Sequence, residues 1–162
     1  MIDFIPVTEE HRALLQSWLA QPHWLEWWGE PEEELAMIYA VDEGEHLPFI
    51  ACINDEPIAY IQCWWPAKHP DVSWVKDMAR TERGIDISIG DAANLGKGLG
   101  SLIVKHFSAK LFAEGATRLV IDPDIRNERA ISAYMKAGFT PYAEADGDLL
   151  MELLPEDFDY GA

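Results

Sequence analysis

Apolar residues along the chain switch between a spacing of three to four and a spacing of two, and the switches outline the elements. Residues 9–20 (EEHRALLQSWLA) place Leu14, Leu15, Trp18 and Leu19 on one side of a helix. An aromatic and acidic stretch follows, QPHWLEWWGEPEEELAMIYA, which ends in a second predicted helix from about Glu32. Residues 47–53 and 57–64 read as strands around a turn at Asn54-Asp55, and residues 65–83 read as irregular. RGIDISIG, residues 83–90, is the next strand. After it Leu99, Ile103, Phe107 and Leu111 recur every fourth residue, with Leu102 and Phe112 beside them, until Gly115 ends the helix. A strand in TRLVID, a helix from Asn127 to Ala137 closed by Gly138, and a hairpin of residues 139–146 and 148–154 turning near Gly147 complete the pattern.

Strands and helices therefore interleave, with hairpins toward both ends. That order predicts an α/β chain with one layer of mixed sheet and helices on its faces. At 162 residues and 49% apolar composition, one domain spanning 1–162 is expected. The acidic N-terminus and the lack of a membrane-length apolar run suggest a cytoplasmic protein. Cys52 lies opposite the region of Ile58 in the first hairpin, so Cys63 is roughly 17 Å further along, beyond disulfide reach. No Cys/His grouping has metal-site spacing, and no metal is expected.

The net charge of −17 argues against nucleic acid or an anionic membrane surface as the main partner. It suits either a polycationic partner or general solubility, and charge alone does not choose between them.

The segment NLGKGLGS, residues 94–101, stands between a strand and a helix. A nucleoside-triphosphate loop is excluded, because Gly90 is one residue too far from Gly96 and Lys97 is followed by Gly98. A dinucleotide fingerprint is excluded too: Ser101 stands where its third glycine belongs, and no crossover leads to a ribose-binding acid. What remains is a loop that aims backbone N–H groups at a diphosphate, aided by the positive end of the helix dipole.

LGKGLGS after GIDISIG, with RNERAISAYMKAGF some thirty residues later, resembles the pyrophosphate loop and following segments of the GNAT N-acetyltransferases. The loop differs from the family's usual [Q/R]-x-x-G-x-[G/A] in having Leu95 at the first position, which removes one side-chain donor and leaves the backbone cradle. With HWLEWWGEPEEE and EPIAYIQ added, five motifs in register over residues 8 to 140 resemble the bacterial aminoglycoside 6'-N-acetyltransferases. They resemble more loosely the lysine N-acetyltransferases of siderophore synthesis. The resemblance implies the acyl-CoA N-acyltransferase fold, a central mixed sheet with a splayed strand at the acetyl-coenzyme A site.

Acetyl transfer to an amine needs the two substrates held together, a proton removed from an ammonium of pKa near ~10, and a proton returned to the leaving thiolate. By alternation Asp86, Ser88 and Gly90 share one strand face, and Ile85, Ile87 and Ile89 the other. The resemblance implies that Asp86 contacts the acceptor amine as a base, and that Ile87, Ser88 and Ile89 flank the pantetheine arm. It likewise puts Leu95, Gly96, Lys97, Gly98, Leu99, Gly100 and Ser101 at the diphosphate. Asn127 and Tyr134, seven apart, lie on one helix face; the resemblance implies Tyr134 as the thiolate's acid and Asn127 as a coenzyme contact.

Lys136, with Lys97, Arg126 and Arg129, suggests a cationic rim for the anionic cofactor. For the acceptor, the resemblance points to Trp28, Gln62, Asp71, Trp74 and Asp122, aromatic faces and carboxylates suited to ammonium groups. Asp122-Pro123 reads equally as a turn starter, and Glu32 to Glu34 read as a solvated helix start. The expected reaction is acetyl transfer from acetyl-coenzyme A to an aminoglycoside-like polyamine by a monomer or homodimer. The alternatives are a siderophore-type lysine acceptor and a non-catalytic acyl-CoA-binding module.

Overall fold

The computed structural model describes residues 1–41 and 45–161. Its strands are β1 (Ile2–Pro6), β2 (His46–Ile53), β3 (Glu56–Trp64), β4 (Glu82–Ile89), β5 (Arg118–Ile121), β6 (Thr140–Ala145) and β7 (Asp148–Leu153). Its helices are α1 (Arg12–Leu19), α2 (Pro22–Trp27), α3 (Pro31–Tyr39), α4 (Leu99–Ala113) and α5 (Glu128–Lys136). The strands form one sheet in the order β1-β2-β3-β4-β5-β7-β6. Each adjacent pair is antiparallel except β4 and β5. No helix is long and apolar enough to cross a membrane among the described residues.

Both predicted hairpins form, each through two residues with positive φ: Asn54 and Asp55 at 49° and 68°, Asp146 and Gly147 at 53° and 85°. The first hairpin sets Cys52 opposite Pro57, one residue from the expected partner, and both cysteines are buried free thiols. Two elements go beyond the sequence reading. β1 is an edge strand held by β2, pairing Ile2 with Ile53, and such a distant partner leaves no local signature. α2 has only six residues, too few for a periodic stripe. Pro22 starts it, and Trp24 anchors it in the core.

Alternation along the strands splits the core in two. Ile61, Cys63 and Ile85 pack with Ile103 and Phe107 of α4 and Tyr134 of α5, and Ile87 and Ile89 border this cluster as expected. Ile50, Cys52 and Tyr60 point the other way, against Leu15, Trp18, Trp24, Leu35 and Ile38 of the first three helices. On that second face Gly84 and Gly90 bracket Asp86 and Ser88. A Cβ at Gly84 would stand 2.1 Å from the Trp64 ring, and one at Gly90 would stand 2.0 Å from the Trp18 ring. The indoles occupy the volume that side chains would otherwise fill.

β4 and β5 pair only through Glu82–Arg118, Arg83–Leu119 and Gly84–Val120. At the closed end Arg118 bridges Glu82 at 3.1 Å and Glu152 at 2.6 Å, and the Thr81 and Thr117 hydroxyls meet at 2.8 Å. β5 then stops at Ile121, ahead of Pro123, which has no N–H to extend a ladder. β4 runs on to Ile89, so the sheet opens as a fork.

Gly84→Ala should destabilise the protein by about 1–3 kcal/mol in urea unfolding, because the new methyl overlaps an indole. In a Trp64→Leu background the loss should shrink, since the ring it collides with is gone.

Candidate active site

The glycine loop ends at the fork's mouth. Gly96 and Gly98 have φ of 73° and 76°, a region that L side chains rarely adopt, and a Cβ built on either meets nothing within 4 Å. Glycine is needed there for its torsion angles, and the loop surface stays open. Gly98 is the N-cap of the 15-residue α4 and no side chain caps the first turn. The N–H groups of Leu99, Gly100 and Ser101 thus lie at the positive end of the helix dipole without intrahelical acceptors. They border a cavity of about 460 Å³, together with Leu95, the Ile87–Ile89 stretch, Asn127, Tyr134 and Lys136.

Lys97 does not border this cavity; its ammonium is exposed and lies 3.4 Å from Asn94 Oδ1. Arg126 is engaged elsewhere, paired to Asp124 at 2.7 Å. Arg129 and Lys136 supply the positive charge on the wall. Asn127 is the N-cap of α5, its Oδ1 accepting from Ala130 N at 3.2 Å, so its amide NH2 is left for a ligand.

The orientation of peptide groups along β4 follows from one hydrogen bond. Gly90 N–H donates to Ile58 O at 2.8 Å, toward β3. The peptide groups of Ile85, Ile87 and Ile89 therefore turn the opposite way, and beyond Gly84 no strand meets them. His23 and Trp24 satisfy the last carbonyl. His23 Nε2 donates to Ile89 O at 2.6 Å, and Trp24 Nε1 donates to Ile89 O at 2.9 Å and Gly90 O at 3.2 Å. The Ile87 peptide remains facing the gap.

A second cavity, of about 370 Å³, shares Trp27, Trp28, Ile87, Asn127, Ala130 and Tyr134 with the first. Its lining carries the carboxylates of Glu34, Asp86, Asp122, Asp124 and Asp148. Asp86 lies opposite Gln62 in the β3–β4 register and accepts from Gln62 Nε2 at 2.9 Å. Burial pushes the Asp86 carboxyl above its ordinary value, against the opposing pull of the Gln62 bond. Asp122 is pushed up to about 8, by burial first and then by the charges of Asp86 and Asp148. Burial also raises Glu34 and Asp148. Tyr134 is raised by burial first and then by the charges of Asp86 and Asp122, so it stays a phenol. Asp124 alone is held low, by hydrogen bonds from Arg126.

The expected acceptor residues divide. Trp28, Asp86 and Asp122 border the second cavity, whereas Gln62 stands behind it and acts on Asp86. Asp71 and Trp74 border neither cavity. Asp71 is exposed, and Trp74 packs edge-on to Trp64 with ring centroids 5.8 Å apart. Their segment is further tied by Ser73 Oγ to Asp146 at 2.7 Å, which holds it to the last hairpin.

Three acids of the second cavity were not anticipated: Glu34, Asp148 and Asp124, the last paired to Arg126. Glu34 is not a solvated helix-start residue; it sits one turn before the buried Ile38 on α3, and that spacing could have shown it facing inward. Asp148 opens β7 and had no local signal. Among the described residues no group of side chains could hold a metal ion.

Folded Asp122 keeps its proton up to about pH 8, while the unfolded chain releases it near ~4. The folded state thus binds more protons in that window, and this carboxyl reduces stability as pH rises through it. Asp122→Asn should stabilise the free protein by about 1–3 kcal/mol at pH 8, a gain that disappears below about pH 4. Calorimetric melting across pH reads it directly.

A family model for the acetyltransferase (GNAT) domain matches residues 7–147. The aminoglycoside N(6')-acetyltransferase type 1 of Klebsiella pneumoniae is 35% identical over 142 residues, covering 82% of this chain and 71% of the relative. The structure of AAC(6')-Ib in complex with parmomycin and acetyl-CoA superposes with a TM-score of 0.89 at 29% identity, over 99% of this chain and 97% of that one. AAC(6')-Ib with coenzyme A and kanamycin superposes with a TM-score of 0.87 at 31% identity, over 97% and 96%.

Proposed function

The chain belongs to the GNAT acetyltransferase family, and from that premise we propose that it transfers acetyl from acetyl-coenzyme A to a primary amine of a polycationic small molecule, of the kind of an aminoglycoside's 6'-amine. The observation that carries this reading is a shared wall. Trp28, Ile87 and Tyr134 border both a cavity rimmed by free helix N–H groups and a cavity rimmed by carboxylates. One suits a polyanion and the other a polycation, with the transfer point between them.

The first cavity fits the coenzyme: its glycine turn is open, its helix end is uncapped, and Arg129 and Lys136 stand on its wall. The N–H groups from Gly96 to Ser101 would hold the diphosphate, Leu95 N–H being spent on Ala92 O, and the Ile87 N–H and carbonyl with the Ile89 N–H would align the pantetheine arm. Bound there, acetyl-coenzyme A supplies an acetyl thioester, from which the acetyl group passes to a neutral amine as the carbon–sulfur bond breaks. Asp86 removes the proton from the ammonium form of the acceptor, directly or through a water. Asp122, Glu34 and Asp148 receive its other ammonium groups, whose charge favours the ionised carboxylates. Tyr134, which borders both cavities and is kept protonated by burial, gives its proton to the departing sulfur. The proton the nitrogen sheds after attack restores the Tyr134 phenol and Asp86 releases its own to solvent, so the products are an amide, a free thiol and one proton.

Thiol release should be fastest with aminoglycosides carrying a free 6'-amine and slower with lysine derivatives and simple monoamines. Normal acetyl-coenzyme A binding with no thiol released by any amine would leave only a binding module. Asp86→Asn should lower kcat by about 10²–10⁴-fold with coenzyme affinity nearly intact, and Tyr134→Phe should lower it by about 10-fold or more.

A further inference from the structure

We infer that Tyr60 is a positioning residue for the Asp86 carboxylate, acting through the side-chain amide of Gln62; its catalytic consequence rests on the reading of Asp86 as the amine-side base. Tyr60 and Gln62 are two apart on β3 and share its face, where the register sets them opposite Ser88 and Asp86. The Tyr60 hydroxyl donates to Gln62 Oε1, and Gln62 Nε2 donates onward to Asp86 Oδ2 at 2.9 Å.

A glutamine amide can turn by half a rotation and exchange its oxygen for its nitrogen. Facing Asp86 with Oε1 would set two acceptors against each other whenever the carboxyl is ionised. The phenol hydrogen prevents this by occupying Oε1, which leaves Nε2 for the carboxylate. Asp86 Oδ1 has no partner among the described residues and remains for the acceptor.

The phenol is itself held in place. Tyr60 has no exposed surface, and its ring packs against the paired indoles of Trp28, edge-on with centroids 5.8 Å apart, and Trp24 at 6.3 Å. Burial also keeps it protonated, so the O–H persists as a donor. Trp28 borders both cavities, so the same aromatic stack that walls the site fixes the amide behind its base.

The groups that set the Asp86 titration come from several elements. His46 lies on β2, Gln62 on β3, His69 beyond β3 and Asp148 on β7. Glu34 faces it from α3, Asp122 from the end of β5, Tyr60 from β3 and Tyr134 from α5. Of these Gln62 alone donates a side-chain hydrogen bond to the carboxylate, and that bond favours the ionised form.

The test uses Tyr60→Phe, Gln62→Leu and the double variant. The Asp86 carboxyl carbon, assigned by its loss in Asp86→Asn, is titrated by 13C NMR in the substrate-free protein. In parallel, kcat/KM is measured against pH with an aminoglycoside bearing a free 6'-amine. Tyr60→Phe should raise the Asp86 midpoint by about one pH unit and move the acid limb of kcat/KM the same way. It should cut kcat/KM about tenfold near neutrality, with the acetyl-coenzyme A dissociation constant unchanged.

In the Gln62→Leu background, adding Tyr60→Phe should change neither quantity, because the relay is already absent. An Asp86 midpoint unmoved by Tyr60→Phe, or moved equally with Gln62 removed, overturns the inference. A midpoint that moves while turnover stays constant upholds the role of Tyr60 and removes Asp86 as the base.

Discussion

Beyond Gly84 one edge of β4 has no neighbouring strand, and buried peptide groups without partners are costly enough that something must meet them. That requirement organises the site. The Ile89 carbonyl is taken by His23 and Trp24, which ties α2 to the end of the strand. The Ile87 peptide is left to the gap between the two cavities. At the other end Arg118, held by Glu82 and Glu152, keeps β4 and β5 together for three residue pairs. A fork open at one end and clamped at the other is a fixed slot, with backbone polarity on one wall and α5 on the other.

The electrostatics are arranged around that slot at some cost to the empty protein. Carboxyls from α3, β4, the end of β5 and β7 converge on one cavity, where burial and mutual repulsion raise Asp86, Asp122, Glu34 and Asp148 together. A cavity lined in this way is least favourable when empty and ionised, and most favourable with several cationic groups in it. The other cavity sets Arg129 and Lys136 against Glu26 and Glu128 on its lining and adds the uncapped helix N–H groups, so it is less acidic than the net charge of −17 would suggest. The chain's overall acidity and the anionic ligand proposed for it are compatible because charge is separated over one shared wall.

How far the site could be read in advance depended on whether its signal was local. The glycine loop was legible because positive φ at Gly96 and Gly98 is a demand on those residues themselves. Asp86 was legible because alternation in GIDISIG fixes which side chains share a face. Where Asp71 and Trp74 stand was not legible, because their segment has no period to fix it; Trp74 on Trp64 and Ser73 on Asp146 decide its position. Glu34 was read as solvated from its place in an acidic run, although its spacing from Ile38 carried the opposite message. β1 depends wholly on β2, and α2 on the bonds its side chains make to β4.

The sequence by itself determined the order of the elements other than β1 and α2, both hairpin turns, the loop before α4 and the face of β4 that carries Asp86. Each follows from the torsional or alternating preferences of neighbouring residues. Only the tertiary structure decided where β4 and β5 part, which five carboxyls meet, and that Gln62 stands behind Asp86 with Tyr60 behind it. Those depend on strand register and on contacts between residues far apart in the chain, and local preference does not encode them.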